Sequence, residues 1–284
     1  MDSLTKWNYA AAAIHLAATI YTIVVLKNKP RRIVELFRLK FDANLPQSES
    51  RVDIPVEKET EERADLKVYV VAFFAVTSAA HFLYATDFFG KGWYSSHILG
   101  FGWNPYRWLE YSVSAGLMIY LISIASGTKE KVSAISQALI TPGLMINGFT
   151  NERVIAQNLL HEWSKNPTGP EPKGDNYILY SNLIPAWLLF GIHWYVILSN
   201  YSKLSQEAKE EGKPLDKSVG FMVYSQLAFW SLFGVIQTYQ AYRYATLSAG
   251  RIEPSFVFYE KAYIILSAVT KLVLAGTVVY ALRD

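Results

Sequence analysis

The sequence of 284 residues contains no cysteine. Disulfide bonds, thiolate catalysis and cysteine-ligated metal sites are therefore excluded. The net charge is only +3 and the basic residues are scattered, so no nucleic-acid-binding surface is predicted. No basic cluster precedes the first apolar segment, which is longer than the core of a signal peptide, and we expect no cleavable signal. Apolar residues are abundant instead, at 51% of the chain.

These apolar residues form long segments. Six segments of 18 to 27 residues contain no Asp, Glu, Lys or Arg, and a seventh contains a single lysine. A transmembrane helix needs about 20 mainly apolar residues. The sequence therefore predicts an all-α membrane protein, a bundle of seven transmembrane helices built from residues 7–26, 68–86, 111–128, 132–151, 176–202, 218–242 and 262–282.

Local signals indicate where the helices begin and end. Pro30 follows the first segment and cannot continue a helix without losing a hydrogen bond. Asn104 followed by Pro105 is typical of a helix N-cap and first helical position, so helix 3 is predicted to begin there. Pro142 predicts a kink in helix 4. The polar continuation of helix 4 after residue 151 is predicted to be an amphipathic extension outside the hydrocarbon.

The longest connection is the polar segment before helix 2. We interpret residues 28–64 as a solvated, partly ordered loop, because connections of this length are usually functional or disordered. Residues 52–56 have the composition of a short edge strand, so a small β-hairpin within this loop is an open alternative. No repeat or composition shift divides the chain, and residues 1–284 are predicted to form a single domain.

Lys271 lies in the middle of the seventh apolar segment. An isolated ammonium in lipid is costly, so an intramembrane lysine is by default a functional hypothesis. Glu110 is the carboxylate set well inside a predicted helix, apart from Glu260 near the start of helix 7. Helices 3 and 7 run in the same direction, and at about 1.5 Å per residue the depths of Glu110 and Lys271 differ by roughly 6 Å. A lysine side chain spans that distance, so the two residues are predicted to pair.

Two functions are compatible with this pair. In a transporter or receptor without a chromophore, it is a structural charge or a gate. In a retinal protein, the lysine amine forms a Schiff base with the aldehyde, and the carboxylate is its counter-ion. Ser267, one turn before the lysine, bonds either to that site or to a carbonyl of its own helix. Aromatic side chains that either wall a polyene pocket or fill the bundle are Trp108, Tyr111, Trp187, Trp194, Phe229, Trp230, Phe233 and Tyr263.

At these positions the sequence resembles the heliorhodopsins, a branch of the microbial rhodopsins. The stretch "RWLEYSVSA" at residues 107–115 resembles the helix-3 motif of that family, in which the glutamate is the counter-ion. The stretch "SAVTK" at residues 267–271 resembles its Ser-x-x-x-Lys motif in helix 7. His15 and His81 are similar to two histidines of a polar, water-bearing cavity, and Gln237 is similar to a glutamine near the ionone end of retinal.

The resemblance implies a set of site residues. It implies that all-trans retinal is attached to Lys271, with Glu110 as counter-ion and Ser267 bonded to the Schiff base. It further implies a proton-accepting polar cavity that contains His15, His81 and Arg107, and a retinal pocket that contains Trp108, Tyr111, Ser114, Trp187, Phe233 and Gln237.

The resemblance also implies a light sensor with a slow photocycle, no pumping and no enzymatic activity, assembled as a homodimer with an unidentified signalling partner. The sequence favours the absence of pumping, because helix 3 has no second carboxylate after Glu110 where a pump would have its proton donor. A light-gated proton channel stays open as an alternative, since a passive channel needs only a hydrated path.

Three features fit the family pattern less well. Ser231 stands where an asparagine is expected, and His193 has no family role, so we interpret it as a neutral histidine at an aromatic helix interface. Heliorhodopsins have a cytoplasmic N-terminus. The positive-inside rule predicts the opposite here, because the first loop is rich in Lys and Arg. We follow the family on orientation.

Overall fold

Seven membrane-spanning helices form the bundle of the computed structural model, which describes residues 3–27, 29, 33–41, 56–88, 90, 102–165, 176–246 and 252–281. All seven are long and apolar enough to cross a membrane. This confirms the predicted all-α bundle of seven transmembrane helices. In chain order they are α1 (Ser3–Leu26), α2 (Leu66–Ala85), α3 (Pro105–Ala125), α4 (Lys131–Lys165), α5 (Asn176–Glu210), α6 (Lys217–Thr246) and α7 (Ile252–Ala281).

A two-stranded antiparallel sheet lies between α1 and α2 in the sequence. β1 (Ile33–Phe41) pairs with β2 (Val56–Asp65), and the register shifts once after Leu36. Leu36 and Ala64 are buried in the main hydrophobic cluster of the bundle, so the base of this hairpin packs onto the helices. Of the strand expected at 52–56, only the last position is described, and β2 begins there.

The start of α3 is fixed by its cap. Asn104 Oδ1 accepts hydrogen bonds from the backbone N–H groups of Tyr106 (3.1 Å) and Arg107 (3.2 Å), and Pro105 occupies the first helical position. These bonds satisfy donors that an uncapped helix would leave unpaired. The predicted beginning of helix 3 is therefore observed.

Helix α4 is longer than the apolar segment that predicts it. Pro142 lies inside the helix, which continues to Lys165. Asn151, Glu152, Ile155 and Ala156 are buried. The turns that directly follow residue 151 therefore pack inside the protein, where Glu152 forms an ion pair with Arg107 of α3. Their predicted position outside the hydrocarbon stays a prediction.

Helix α3 is the central element. Fourteen of its 21 residues are buried, and it packs against α2, α4 and α6. Its later turns, around Ile119 and Ile122, contribute to the larger hydrophobic cluster. Tyr111, near its start, belongs to a second cluster together with Tyr263 of α7. The buried charged residues of α3 lie on its first turns, next to that second cluster.

Candidate functional site

Lys271 and Glu110 form a buried pair. Lys271 Nζ lies 3.5 Å from Glu110 Oε1, and the two side chains are 3% and 4% exposed. Lys271 Nζ also donates a 2.7 Å hydrogen bond to Ser267 Oγ, one turn earlier on α7. A buried ammonium needs an anionic partner and further hydrogen bonds, and both are present. The side chains of Lys271 and Glu110 therefore span the difference in depth between their helical positions that the sequence predicts.

The structure adds Thr77 to this group. Its hydroxyl donates a 2.5 Å hydrogen bond to Glu110 Oε1, the oxygen that faces Lys271. Thr77 is fully buried on α2. The sequence does not mark Thr77 as a site residue, because threonine is common within apolar helices. The one feature that could have indicated it is its position one turn before His81, on the same helical face.

The two histidines lie together, as the resemblance implies. The rings of His15 and His81 stack with their centroids 5.9 Å apart. Asn8 Nδ2 donates to Leu4 O, which turns Asn8 Oδ1 toward His81 Nδ1 at 2.8 Å. An amide oxygen only accepts, so His81 Nδ1 carries the hydrogen and Nε2 is the basic nitrogen.

A small cavity connects His81 with the charged residues. His81, Glu110 and Arg107 all line it. Within the part of the chain that the structure describes, His81 Nε2 and both ring nitrogens of His15 have no hydrogen-bond partner. Buried polar atoms of this kind are typical positions for internal water. The space is therefore suited to hold water next to the Lys271 pair.

Arg107 lines this cavity, but its guanidinium is directed to two carboxylates. Arg107 Nη2 lies 2.7 Å from both carboxylate oxygens of Glu152. Arg107 Nη1 contacts Glu260. Sequence reasoning missed Glu152, because it lies one residue beyond the apolar segment of helix 4. The signal that was available is Arg107 itself, which needs a buried acid besides Glu110.

A second, larger cavity adjoins Lys271. Lys271, Ser267 and Thr270 form part of its wall. Most of the remaining lining is aromatic or aliphatic: Trp108, Tyr111, Ala115, Met118, Leu144, Met145, Leu183, Ala186, Trp187, Phe190, Trp230, Phe233 and Tyr263, with Gly148, Asn151, Gly234 and Gln237. A reactive amine inside an apolar, aromatic space fits a conjugated, apolar aldehyde.

Five of the six residues expected in the retinal pocket line this cavity, and Ser114 does not. The wall is formed by the face of α3 that carries Trp108, Tyr111 and Ala115. Ser114 is rotated from that face toward Glu110, because successive helical residues turn by about 100°. Ser114 is fully buried.

Other aromatic and polar candidates lie elsewhere. Trp194 and Phe229 are not part of the cavity lining. Trp194 packs on Trp230 at a centroid distance of 6.4 Å. Ser231 is also outside the lining, and its hydroxyl donates to a carbonyl of its own helix, one turn back. His193 is fully buried and edge-on to Trp194.

Two tryptophan rings of the cavity wall rest directly on glycines. A Cβ at Gly148 would lie 2.5 Å from the Trp108 ring, and a Cβ at Gly234 would lie 2.7 Å from the Trp187 ring. Trp187 Nε1 also donates a 2.9 Å hydrogen bond to Thr238 Oγ1, which fixes the indole across the seam between α5 and α6. The space for a ligand therefore depends on two backbone positions without side chains.

Gln237 is held in place at the cavity wall. Its Nε2 donates to Gly148 O at 3.3 Å, and its Oε1 accepts a 2.5 Å hydrogen bond from the Tyr263 hydroxyl. The amide is thereby fixed between α4 and α7 and cannot rotate freely.

Comparison with known proteins agrees with this geometry. The sequence model of the heliorhodopsin family matches residues 4–282. The fold is similar to the crystal structure of thermophilic rhodopsin, with a TM-score of 0.50 and 10% identity over 98% of this chain and 93% of that chain. This likeness shows the fold alone. No curated protein sequence matches the chain.

The fold and its family match define a multi-pass membrane protein of the microbial rhodopsin type, and the lysine–carboxylate site is consistent with that class. The chain belongs to the heliorhodopsin family, which confirms the resemblance seen at residues 107–115 and 267–271. It is accordingly a retinal-binding, light-sensing membrane protein.

Proposed function

We propose that the protein is a photoreceptor that holds all-trans retinal on Lys271 as a protonated Schiff base, with Glu110 as its counter-ion. The observation that carries the proposal is the buried contact of Lys271 with Glu110 and Ser267 at the wall of an aromatic cavity. Bound retinal would supply the absorption of light and the isomerisation to the 13-cis form. The side chains around Lys271 would balance its charge, orient the nitrogen and accept its proton.

Glu110 balances the positive charge on the Lys271 nitrogen. At 3.5 Å in a buried site, this attraction is much stronger than in water. Ser267 accepts a hydrogen bond from the nitrogen and so fixes its direction. Thr77 holds the Glu110 carboxylate from the other side. The nitrogen therefore keeps its proton in the resting protein.

The polar cavity is the proposed destination of that proton. His15 and His81 lie next to the Lys271–Glu110 pair, and His81 Nε2 is a basic nitrogen without a partner among the described residues. Histidine is suited to take protons near neutral pH. Arg107 contributes to this cavity as a fixed positive charge at its wall. A proton held inside the protein gives a long-lived state, which suits signalling by helix movement.

We further propose that the photocycle is slow, that no ions are pumped and that no reaction is catalysed. Helix α3 offers no carboxylate beyond Glu110 as a proton donor. By family membership we propose a homodimer with a cytoplasmic N-terminus and a separate signalling partner.

The test of retinal binding is direct. Membranes from cells that make the protein and are given all-trans retinal are expected to become coloured. Lys271→Ala should remove the colour, and Lys261→Ala, a lysine ten residues earlier on the same helix, should retain it. A colourless wild type would support a non-retinal transporter or receptor that uses the Lys271–Glu110 pair as a gate. Pigment still bound covalently to the Lys271→Ala variant would remove Lys271 as the attachment site.

Photocurrents decide between a sensor and a light-gated proton channel. In voltage-clamped cells the sensor is expected to show no light-induced current at any holding potential. A passive current that reverses with the proton gradient would identify the channel. A current of fixed direction without a gradient would show pumping and overturn this part of the proposal.

A further inference from the structure

Three buried ionisable side chains meet where α3, α4 and α7 come together. Arg107, Glu152 and Glu260 are 4%, 2% and 2% exposed. Arg107 Nη2 lies 2.7 Å from both oxygens of Glu152, and Arg107 Nη1 contacts Glu260 Oε1. One guanidinium therefore faces two carboxyl groups. If both were ionised, the group would have a net charge of −1.

No second buried cation compensates for that charge among the described residues, and Arg243, which lies near Tyr259, is exposed. Lys271 is already paired with Glu110. Arg153 lies over the Trp103 ring on the exposed side of α4. The other titratable groups next to the cluster are neutral or weakly basic: His81 and Tyr84 of α2, Tyr111 of α3, Tyr244 of α6, and Tyr259 and Tyr263 of α7. An uncompensated buried charge is strongly unfavourable, so one of the two carboxyls should bind a proton.

The hydrogen bonds of Glu152 identify it as the ionised partner. Besides the two bonds from Arg107, its oxygens accept from Trp108 Nε1 at 2.7 Å and from Gln240 Nε2 at 2.8 Å. The backbone N–H of Asn104 approaches at 3.4 Å. All of these groups are donors. A carboxylate with this many donors is stabilised in its charged form, because the ionised oxygens accept more strongly and carry no hydrogen that would face another donor.

Glu260 has a different environment. Its Oε1 faces Arg107, and its Oε2 accepts a single, longer bond of 3.2 Å from Asn104 Nδ2. Glu260 also lines the small cavity that contains His81 and Glu110. Oε2 is therefore able to carry a hydrogen directed into that space. Glu152 has no place in the lining of the same cavity.

We propose that Glu260 is a proton-binding site: it holds a proton in the resting protein, while Glu152 is the permanent counter-charge of Arg107. The site lies at the wall of the cavity shared with Glu110, but it depends on charge balance alone. It therefore exists with or without retinal, and it stands even if the proposed photoreceptor function fails.

Infrared spectroscopy of the full-length protein without chromophore, in lipid near neutral pH, tests this proposal. The spectrum of the wild type should contain a band in the carbonyl-stretch region of protonated carboxyl groups. The spectrum of Glu260→Gln should lack it. Glu152→Gln should also lose that band, because Glu260 must then ionise to balance Arg107. Glu207→Gln, which changes an exposed carboxyl of α5, is the matched control and should leave the band unchanged.

The thermal stability of the two variants is a second measurement that tests the proposal. Gln is a neutral isostere of a protonated Glu, so Glu260→Gln should melt close to wild type and Glu152→Gln clearly below it. Because loss of either carboxyl removes the band, the band shows that the cluster holds a proton, and the order of stability assigns that proton to Glu260. A wild type without the band would overturn the proposal. So would a Glu260→Gln variant that is less stable than Glu152→Gln.

Discussion

Thr77 and Glu110, on neighbouring helices, share a 2.5 Å hydrogen bond in which the threonine hydroxyl donates to Oε1. The same oxygen faces Lys271 Nζ at 3.5 Å. The strength of the Thr77 bond therefore sets how much negative charge Glu110 presents to the lysine nitrogen. The attraction between Glu110 and Lys271 therefore depends on residues of three helices, α2, α3 and α7.

Thr77→Val removes the hydroxyl and keeps the shape of the side chain. Without the donor, negative charge concentrates on Glu110 and stabilises a positive nitrogen more strongly in the ground state. We expect the absorption maximum of the pigment to move to shorter wavelength. Thr277→Val is the control, because the Thr277 hydroxyl bonds to Val273 O of its own helix. An equal shift in both variants would contradict a specific role of Thr77.

Glu110→Gln removes the anion that faces Lys271. The pigment should show a large displacement of its absorption maximum or lose its visible band as the nitrogen releases its proton. In the protein without chromophore, breaking a buried pair typically costs about 3–5 kcal/mol, so the melting temperature should fall. Glu207→Gln, at an exposed position of α5, should change neither property. An absorption maximum that stays in place would remove Glu110 as counter-ion.

Gly148→Ala and Gly234→Ala test the cavity walls. The added methyl groups would meet the Trp108 and Trp187 rings at 2.5 and 2.7 Å, which forces the indoles to move. We expect less pigment per protein and a displaced absorption maximum.

Gly143→Ala on α4 and Gly191→Ala on α5 are the matched controls for these two variants. A Cβ at either position meets nothing within 4 Å. Their pigment should be normal, and their stability should rise by up to about 1 kcal/mol, because alanine is the better helix former. Normal pigment in all four variants would show that the rings have room to shift.

Asn104 combines two roles that substitutions can separate. Its Oδ1 caps α3, and its Nδ2 donates to Glu260. Asn104→Ser keeps a capping oxygen and should lose little stability, whereas Asn104→Ala should lose about 1 kcal/mol. Asn104→Asp is an equally good cap but adds a carboxyl beside Glu152 and Glu260. It should therefore be less stable than Asn104→Ser in thermal unfolding at neutral pH. The reverse order would contradict the charge balance inferred for this cluster.

The fold was largely predictable, because a membrane-spanning segment is recognised by length and by the absence of charge. The same rule made Lys271 conspicuous, and Glu110 followed as an acid at a matching depth. Asn104 and Pro105 marked the start of α3 through local chemistry alone. These features depend on one segment of chain at a time, or on one strong electrostatic requirement between two segments.

Residues whose role depends on several helices at once were not predictable. Glu152 follows an apolar segment and is similar in sequence to a solvated residue. Its burial results from donors on α3 and α6 that converge on α4. Thr77 is one of many hydroxyl side chains in the helices, and only packing of α2 on α3 aims it at Glu110. Ser114 missed the pocket for the related reason that a small rotation of α3 decides which face lines it.

The Arg107 cluster also makes the bundle mechanically asymmetric. Glu152 connects α4 with α3 and α6, and Arg107 connects α3 with α7. Polar contacts therefore hold four helices together at the end where α3 begins. At the far end, the Asn200 amide bonds to the loop hydroxyl of Thr128, and Lys67 Nζ of α2 bonds to Leu26 O of α1. Lys271 lies between these two ends. When the charge at Lys271 changes, we therefore expect the helices to be displaced further near the end of α3 than at the end held by the Arg107 cluster.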